Sequence, residues 1–194
     1  MNDVQTMFTK AQQQFAARVG SIGQNWAAPT PDSDWDVGAL VDHLIDEQRW
    51  VAPLLRGHDL EAAEKIVKGM ASTRADTTLG ADRVQEWQDA ARAAGDAALE
   101  QDVLNRTVHL SRGETPAGDY LNEMVFDLTV HAWDLARALG VDAALPDDLV
   151  DYVFAVVQAY GDLSSTGMFD KPVATADDAP TLDRLIALTG RNPR

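Results

Sequence analysis

Cysteine is absent from the 194-residue sequence. This absence excludes disulfide bonds, thiolate metal ligands and a cysteine nucleophile within the chain. Basic side chains are also few, since 16 Lys and Arg residues stand against 31 Asp and Glu residues and leave a formal net charge of −15. Nucleic-acid phosphates are bound by clustered Lys and Arg, and anionic lipid surfaces attract basic segments. The charge therefore argues against a nucleic-acid or membrane partner.

Long apolar runs are missing as well. No uninterrupted apolar stretch approaches the roughly 18 residues that span a bilayer, and residues 1–20 lack the basic start and apolar run of a signal peptide. We therefore expect a cytoplasmic protein. The length and the hydrophobic content of 45% suit one globular domain spanning residues 1–194. A monomer and a homodimer are both compatible with this sequence.

Apolar residues recur at three- and four-residue steps through most of the chain, a pattern typical of amphipathic helices. The pattern predicts helices over 3–20, 36–56, 79–104, 122–140 and 146–163, and a short final helix over 179–189. These elements predict an all-α fold, a four-helix bundle with additional segments. From about residue 165 onward we expect an extended tail whose short helix docks on the bundle and covers apolar surface.

The segments between these helices are less regular. Residues 58–78 are ambiguous, because the first half could be helical whereas 69–78 is typical of a loop. The connector over 106–120 could contain a short strand. Asp34 or Asp36 is expected to cap the second helix, since Asp is a favoured N-cap residue.

The segment over 122–140 combines apolar residues on nearly all sides with Glu123, Asp127, His131 and Asp134. We expect such a helix to be buried on more than one face. Asp127 and His131 are four residues apart, so their side chains lie one turn above each other. A pair at this spacing is more often a surface pair or a satisfied core pair than a metal site. Asp134 is expected to cap the helix or to pair with Arg137 rather than to take part in chemistry.

A further histidine on the second helix raises a metal hypothesis. His43 shares one line of that helix with Glu47, Trp50 and Leu54, an arrangement that is ordinarily a packed face. Together with Asp127 and His131, however, His43 could supply two imidazoles and one carboxylate. Such a set binds a divalent metal and leaves positions open for water or substrate, and helical bundles build such sites from facing helices.

Two other histidines, His58 and His109, lie in predicted loops. We expect both to face solvent, with His109 at the mouth of a pocket as the alternative.

Several sequence motifs resemble a known family. "WDVGALVDHLI" over 35–45, "DLTVHAWDLARALG" over 127–140 and "GMFDKPVATADDAPTLDRLIALTGRNP" over 167–193 resemble proteins similar to the N-terminal domain of mycothiol-dependent maleylpyruvate isomerase. That domain belongs to the wider DinB-like superfamily. The resemblance implies a DinB-like four-helix bundle that holds a divalent metal, typically zinc with Ni²⁺ or Fe²⁺ as alternatives, through His43, Asp127 and His131.

The chain also departs from the isomerase it resembles. The isomerase carries Glu where this chain has the shorter Asp127, so the helix must approach the metal more closely or a water must bridge. The isomerase also has a C-terminal domain that contributes to its substrate site, and we expect no full counterpart of it here. We therefore do not expect maleylpyruvate isomerisation itself.

Two functions follow from these expectations. The first is a mycothiol-dependent thiol transferase or isomerase, in which a metal-activated thiolate attacks an electrophilic substrate. The thiol must be external, because the chain has no cysteine. The second is a non-catalytic metal-dependent protein that binds or senses a small molecule. Glu123 and Glu47 are candidate outer-shell partners of the metal, with Glu123 a general base or, alternatively, a solvated carboxylate.

Overall fold

A computed structural model of the chain describes residues 3–32, 35–72, 80–166 and 169–194. Helices dominate these ranges, and the only regular strands within them form one short hairpin. The α-helices are α1 Asp3–Val19, α2 Val37–Leu55, α3 Leu60–Ser72, α4 Gly80–Ala98, α5 Ala117–Leu139, α6 Asp147–Tyr160 and α7 Thr181–Leu188. Two 3₁₀ turns cover Val103–Asn105 and Leu163–Thr166, and the antiparallel hairpin pairs β1 Thr107–Leu110 with β2 Gly113–Pro116.

Helices α1, α2, α4 and α5 form the bundle. Ion pairs show that α2 and α4 run parallel, because Asp42 pairs with Arg83 at 2.8 Å and Arg49, further along α2, pairs with Glu86 at 2.6 Å. Two neighbouring parallel helices need a connection that returns to the starting end. Helix α3 lies within that connection.

The other two bundle helices run in the opposite direction. Gln5, near the start of α1, donates to the backbone oxygen of Ala98 at the end of α4. At the same end of the bundle, Arg106 donates to the backbone oxygen of Leu55 at the end of α2, just before the hairpin leads into α5. Helices α2 and α5 are therefore antiparallel, and residues near the start of α2 face the second half of α5.

Apolar side chains of the four bundle helices form the core. The fully buried ones include Phe8, Phe15, Leu40, Leu44, Ile45, Trp87, Leu121, Leu128 and Leu135. On one side of α5 Leu121, Leu128 and Leu135 are buried. On the opposite side Phe126, Val130 and Trp133 are buried as well. The expectation that this helix is buried on more than one face is confirmed. The all-α four-helix bundle is confirmed too.

Helix boundaries differ from the sequence predictions mainly at α3, α4 and α5. Helix α4 ends at Ala98, six residues before the predicted end, and the left-handed backbone of Asp102 (φ 59°) excludes a continuous helix up to residue 104. Helix α5 begins at Ala117, five residues before the predicted start, because Pro116 precedes the first turn and supplies a suitable backbone conformation for helix entry. Residues 69–72, predicted as loop, are the end of α3, and the rest of that predicted loop, 73–78, lies outside the described residues. Asp36 caps α2 by accepting from the Ala39 backbone N–H at 2.8 Å, whereas Asp34 lies outside the described residues.

The C-terminal segment packs on α6. Leu185 and Ile186 of α7 are buried, and the Arg184 guanidinium lies 4.8 Å from the ring centroid of Phe154 on α6. Earlier in the tail, the Phe169 ring contacts Phe126 of α5 at 5.5 Å between centroids. Among the described helices, none combines the length and apolar character that crossing a membrane requires.

Candidate metal centre

Helices α2 and α5 bring three predicted ligands together at one end of their interface. His43 Nε2 lies 3.6 Å from Asp127 Oδ2, and His131 Nε2 lies 3.4 Å from Asp127 Oδ1. One donor atom from each of the three side chains falls within 4.8 Å of the other two. We call His43, Asp127 and His131 the triad.

The spacing within the triad fits a small divalent cation. Two ligand atoms that each lie about 2.0–2.1 Å from a tetrahedral ion are about 3.4 Å apart. The separations of Asp127 from the two imidazoles are close to this value, although its side chain is short. Asp127 Oδ2 is buried and has no hydrogen-bond partner among the described residues. An unpaired buried carboxylate oxygen is costly, and a cation between the three groups would satisfy it.

His131 is oriented by a buried carboxylate on its far side. Its Nδ1 lies 2.9 Å from Asp134 Oδ2, and the Asp134 side chain is fully buried. Because a carboxylate accepts, Nδ1 carries a proton. When the imidazole is neutral, its Nε2 therefore has the lone pair, directed toward the rest of the triad. Metal-binding histidines commonly have such a carboxylate partner, which sets the tautomer and the ring orientation.

The contacts of Asp134 differ from the expected helix cap or pair with Arg137. Its carboxylate accepts from His131 and from Arg191, which lies 57 residues later in the chain. Arg137 instead donates to the backbone oxygen of Arg194 at 3.0 Å and lies over the Trp133 ring. The prediction of an Asp134–Arg137 pair was wrong. Spacing along α5 allowed that pair, but Asp134 points inward while Arg137 lies at the exposed end of the helix.

Charge within the triad is strongly coupled. Burial alone would raise the pKa of Asp127, but the positive charges of the nearby imidazoles, His131 first and then His43, hold it well below its usual range. Burial alone would lower the pKa of His131, but Asp127 and then Asp134 raise it to about 9. Two carboxylates around one imidazole thus create a buried position that favours positive charge.

An aromatic side chain covers one side of the triad. The Trp35 ring centroid lies 4.5 Å from that of His43 and 5.4 Å from that of His131. Sequence reasoning assigned Trp35 no role. The sequence signal for this contact was the spacing, because Trp35 lies eight residues before His43, which corresponds to about two helical turns.

The two candidate outer-shell carboxylates differ in their surroundings. Glu47, one turn after His43, is half-buried, and burial and then the charge of Asp127 raise its pKa. Glu123 forms an ion pair with Arg112 at the tip of the hairpin. Glu123 is therefore neither a simply solvated carboxylate nor a bonded partner of the triad in this structure.

Tyr120 adds a buried hydroxyl to the same face of α5 as Asp127, seven residues earlier. The hydroxyl oxygen has no hydrogen-bond partner among the described residues. The Tyr120 pKa is raised above its usual range, first by burial and then by the charges of Glu47, Glu123 and Asp127. The Tyr120 hydroxyl is thus a buried polar group whose hydrogen-bonding capacity is not used by the described residues.

The other two histidines lie outside the triad. His58 is exposed between α2 and α3. His109 is in strand β1 rather than in a loop, with its Nδ1 3.9 Å from Glu114 of the paired strand and its side chain 42% exposed.

Comparison with known proteins gives this site a family context. The family model described as the mycothiol maleylpyruvate isomerase N-terminal domain matches residues 8–136, a range that contains the whole triad. Two curated proteins from two strains of Mycobacterium tuberculosis, both described as uncharacterized, are 28% identical to this chain over 198 residues. Each alignment covers 95% of this chain and 96% of the relative.

Two crystal structures are similar in fold. A mutant of mycothiol-dependent maleylpyruvate isomerase has a TM-score of 0.64 and 12% sequence identity, and the match covers 88% of this chain and 72% of that chain. Another structure of mycothiol-dependent maleylpyruvate isomerase has a TM-score of 0.58 and 15% identity, with 79% and 67% covered. At these identities the likeness concerns the fold alone.

Proposed function

The chain belongs to the family of the mycothiol maleylpyruvate isomerase N-terminal domain, and we propose that its triad binds one divalent metal ion for chemistry on a low-molecular-weight thiol. One observation carries the proposal. The buried Asp127 Oδ2 has no hydrogen-bond partner among the described residues and lies 3.6 Å from one imidazole of the triad. The negative charge of the Asp127 carboxylate and one donor atom from each side chain of the triad could therefore bind one cation.

Zinc is the ion that we propose, with Ni²⁺ or Fe²⁺ as alternatives. Two imidazoles and one carboxylate form a ligand set common in catalytic zinc sites, which use three protein ligands and keep a further position open. Two histidines with one carboxylate also bind non-haem Fe²⁺. A structural zinc is normally closed by four protein ligands, so a three-ligand set favours binding of an exogenous molecule.

The exogenous molecule that we propose is mycothiol, because relatives of this fold are described as mycothiol-dependent. When bound, the metal supplies a Lewis acid that lowers the pKa of a thiol placed in its open position. The chain's own contribution is to hold the thiol and to accept its proton. We assign the proton to Glu47, whose raised pKa makes it a stronger base than an ordinary glutamate.

The bond changes are then balanced within the site. The S–H bond breaks and the proton passes to the Glu47 carboxylate. The sulfur forms a bond with one carbon of a C=C double bond conjugated to a carbonyl, and the π electrons of that double bond shift to the carbonyl. In a transfer the other carbon of the former double bond takes the proton from Glu47, and the S–C bond is retained in the product. In an isomerisation the substrate rotates about the former double bond, the S–C bond breaks as the double bond re-forms, and the sulfur takes the proton back from Glu47.

Cobalt substitution tests this function directly. We expect the Co²⁺-loaded protein to gain a sulfur-to-cobalt charge-transfer absorption when mycothiol is added, and to respond less to glutathione. An unchanged spectrum at saturating mycothiol would remove the thiol from the proposal. Thiol binding without conversion of any of a panel of electrophiles would instead favour the non-catalytic binding function.

The Tyr120→Phe variant separates ligand binding from folding. We expect mycothiol affinity to fall about 2- to 10-fold, the effect of one hydrogen bond, while zinc content is unchanged. Stability of the metal-free protein should be unchanged or slightly higher, because the lost hydroxyl is buried without a partner among the described residues. Mycothiol titrations of Co²⁺-loaded protein and thermal melts measure the two effects.

Tyr152→Phe is the matched control, because its hydroxyl donates to Asn122 at 2.6 Å. That variant should lose stability and retain mycothiol affinity. Equal thiol affinity in Tyr120→Phe and the wild type would show that the Tyr120 hydroxyl does not contact the ligand.

A further inference from the structure

The last residues of the chain turn back into the bundle beside the triad. After α7 ends, Gly190 has a φ of +82°, a conformation that side-chain-bearing residues rarely adopt. A Cβ at Gly190 would lie 2.4 Å from the Cβ of Asp170. Only glycine fits here, and this close turn directs Arg191 inward.

Arg191 is a buried arginine with several partners. Its Nε lies 2.9 Å from Asp134 Oδ1, and its Nη2 lies 2.9 Å from Asp134 Oδ2. Nη2 also donates to Asp32 in the segment before α2, at 3.0 Å, and Nη1 donates to the Thr189 backbone oxygen at 3.3 Å. Two parallel N–H donors on one carboxylate hold it in a defined plane.

The same carboxylate orients the metal ligand. Asp134 Oδ2 accepts from both Arg191 and His131 Nδ1. The plane in which Arg191 holds Asp134 therefore sets the direction from which His131 is bonded. We propose that Arg191 is a positioning residue of the metal centre, acting through Asp134 to aim His131 Nε2 at the rest of the triad. This inference rests on the proposed metal site.

The C-terminal segment was expected to cover apolar surface, and this role does not explain the contacts of Arg191 with Asp134. Leu185 and Ile186 already provide the buried apolar contacts by which α7 packs. Buried ion pairs contribute little net stability, because removing both charges from water costs about as much as their attraction returns. The Arg191–Asp134 pair is better explained by the orientation that it imposes on His131.

The experiment compares Arg191→Met with Arg137→Met, which removes a different contact of the same segment, the 3.0 Å bond to the Arg194 backbone oxygen. We expect Arg191→Met to weaken zinc binding about 10- to 100-fold, the effect typical of losing an outer-shell partner. The visible spectrum of its Co²⁺-loaded form should also change. Arg137→Met should keep wild-type zinc affinity and the wild-type cobalt spectrum.

Arg191→Lys provides the conservative variant. Its ammonium keeps the charge but cannot form two parallel hydrogen bonds, so we expect a zinc affinity between those of the wild type and Arg191→Met. If Arg191→Met does not fold, Arg191→Lys decides, since wild-type affinity and spectrum in that variant would overturn the proposal.

The outcomes separate this proposal from the proposed function. A lower melting temperature of metal-free Arg191→Met with wild-type zinc affinity and cobalt spectrum would show a purely structural role and overturn the inference. Failure of the wild-type protein to bind zinc or cobalt would instead reject the metal site itself.

Discussion

The His43→Ala variant is expected to purify without its metal and to bind zinc more than a hundredfold more weakly than the wild type. In the proposed site it removes one of three side-chain ligands, so the loss should exceed the roughly 10- to 100-fold typical of an outer-shell partner. The helix should remain intact, because Ala is the best helix former and His43 lies within α2. Elemental analysis and zinc competition titrations measure both effects.

His109→Ala is the matched control, because the same change is made on a half-exposed side chain of strand β1 outside the triad. It should retain one metal per chain and wild-type affinity. If His43→Ala retained its metal and His109→Ala lost it, the metal would bind outside the triad and the prediction would be contradicted.

The Leu121→Ala variant is expected to lose about 2–5 kcal/mol of unfolding free energy, the range for a leucine truncated in a packed core. Leu121 is fully buried on α5, six residues before Asp127. Leu99→Ala, at a side chain that is 49% exposed, should change stability by less than about 0.5 kcal/mol. Urea denaturation of metal-free protein measures the difference.

Zinc binding by the Leu121→Ala variant tests whether the metal site tolerates a loss of core packing. Folded Leu121→Ala protein should still bind one zinc per chain, because the triad gains its geometry from helix packing that one cavity does not abolish. Similar stability losses in the two leucine variants would mean that α5 is not the buried helix described above.

The helices of the bundle were predictable because their side chains repeat at the helical period. Asp127 and His131 were predictable as neighbours for the same reason, since four residues make about one turn. Their relation to His43 was not fixed by periodicity, because no local pattern states how α2 packs on α5. The resemblance to a family supplied that relation, and the structure brings the three side chains within 4.8 Å.

The outer part of the site was not predictable in this way. Asp134 was assigned to Arg137 because the two lie three residues apart, whereas its partner Arg191 is 57 residues away. A contact across that separation depends on where the C-terminal segment folds back. The sequence held one weak indication of this fold-back, which is Gly190 directly before Arg191. Glycine after a helix often adopts a left-handed conformation and turns the chain.

An anomalous difference map from zinc-loaded crystals, recorded at the zinc absorption edge, tests the metal site most directly. We predict one strong peak per chain, about 2.0–2.2 Å from His43 Nε2, His131 Nε2 and a carboxylate oxygen of Asp127, with at least one ligand position not filled by protein. A strong peak away from these three residues, or a zinc ion closed by four protein ligands, would contradict the proposed site and its open position.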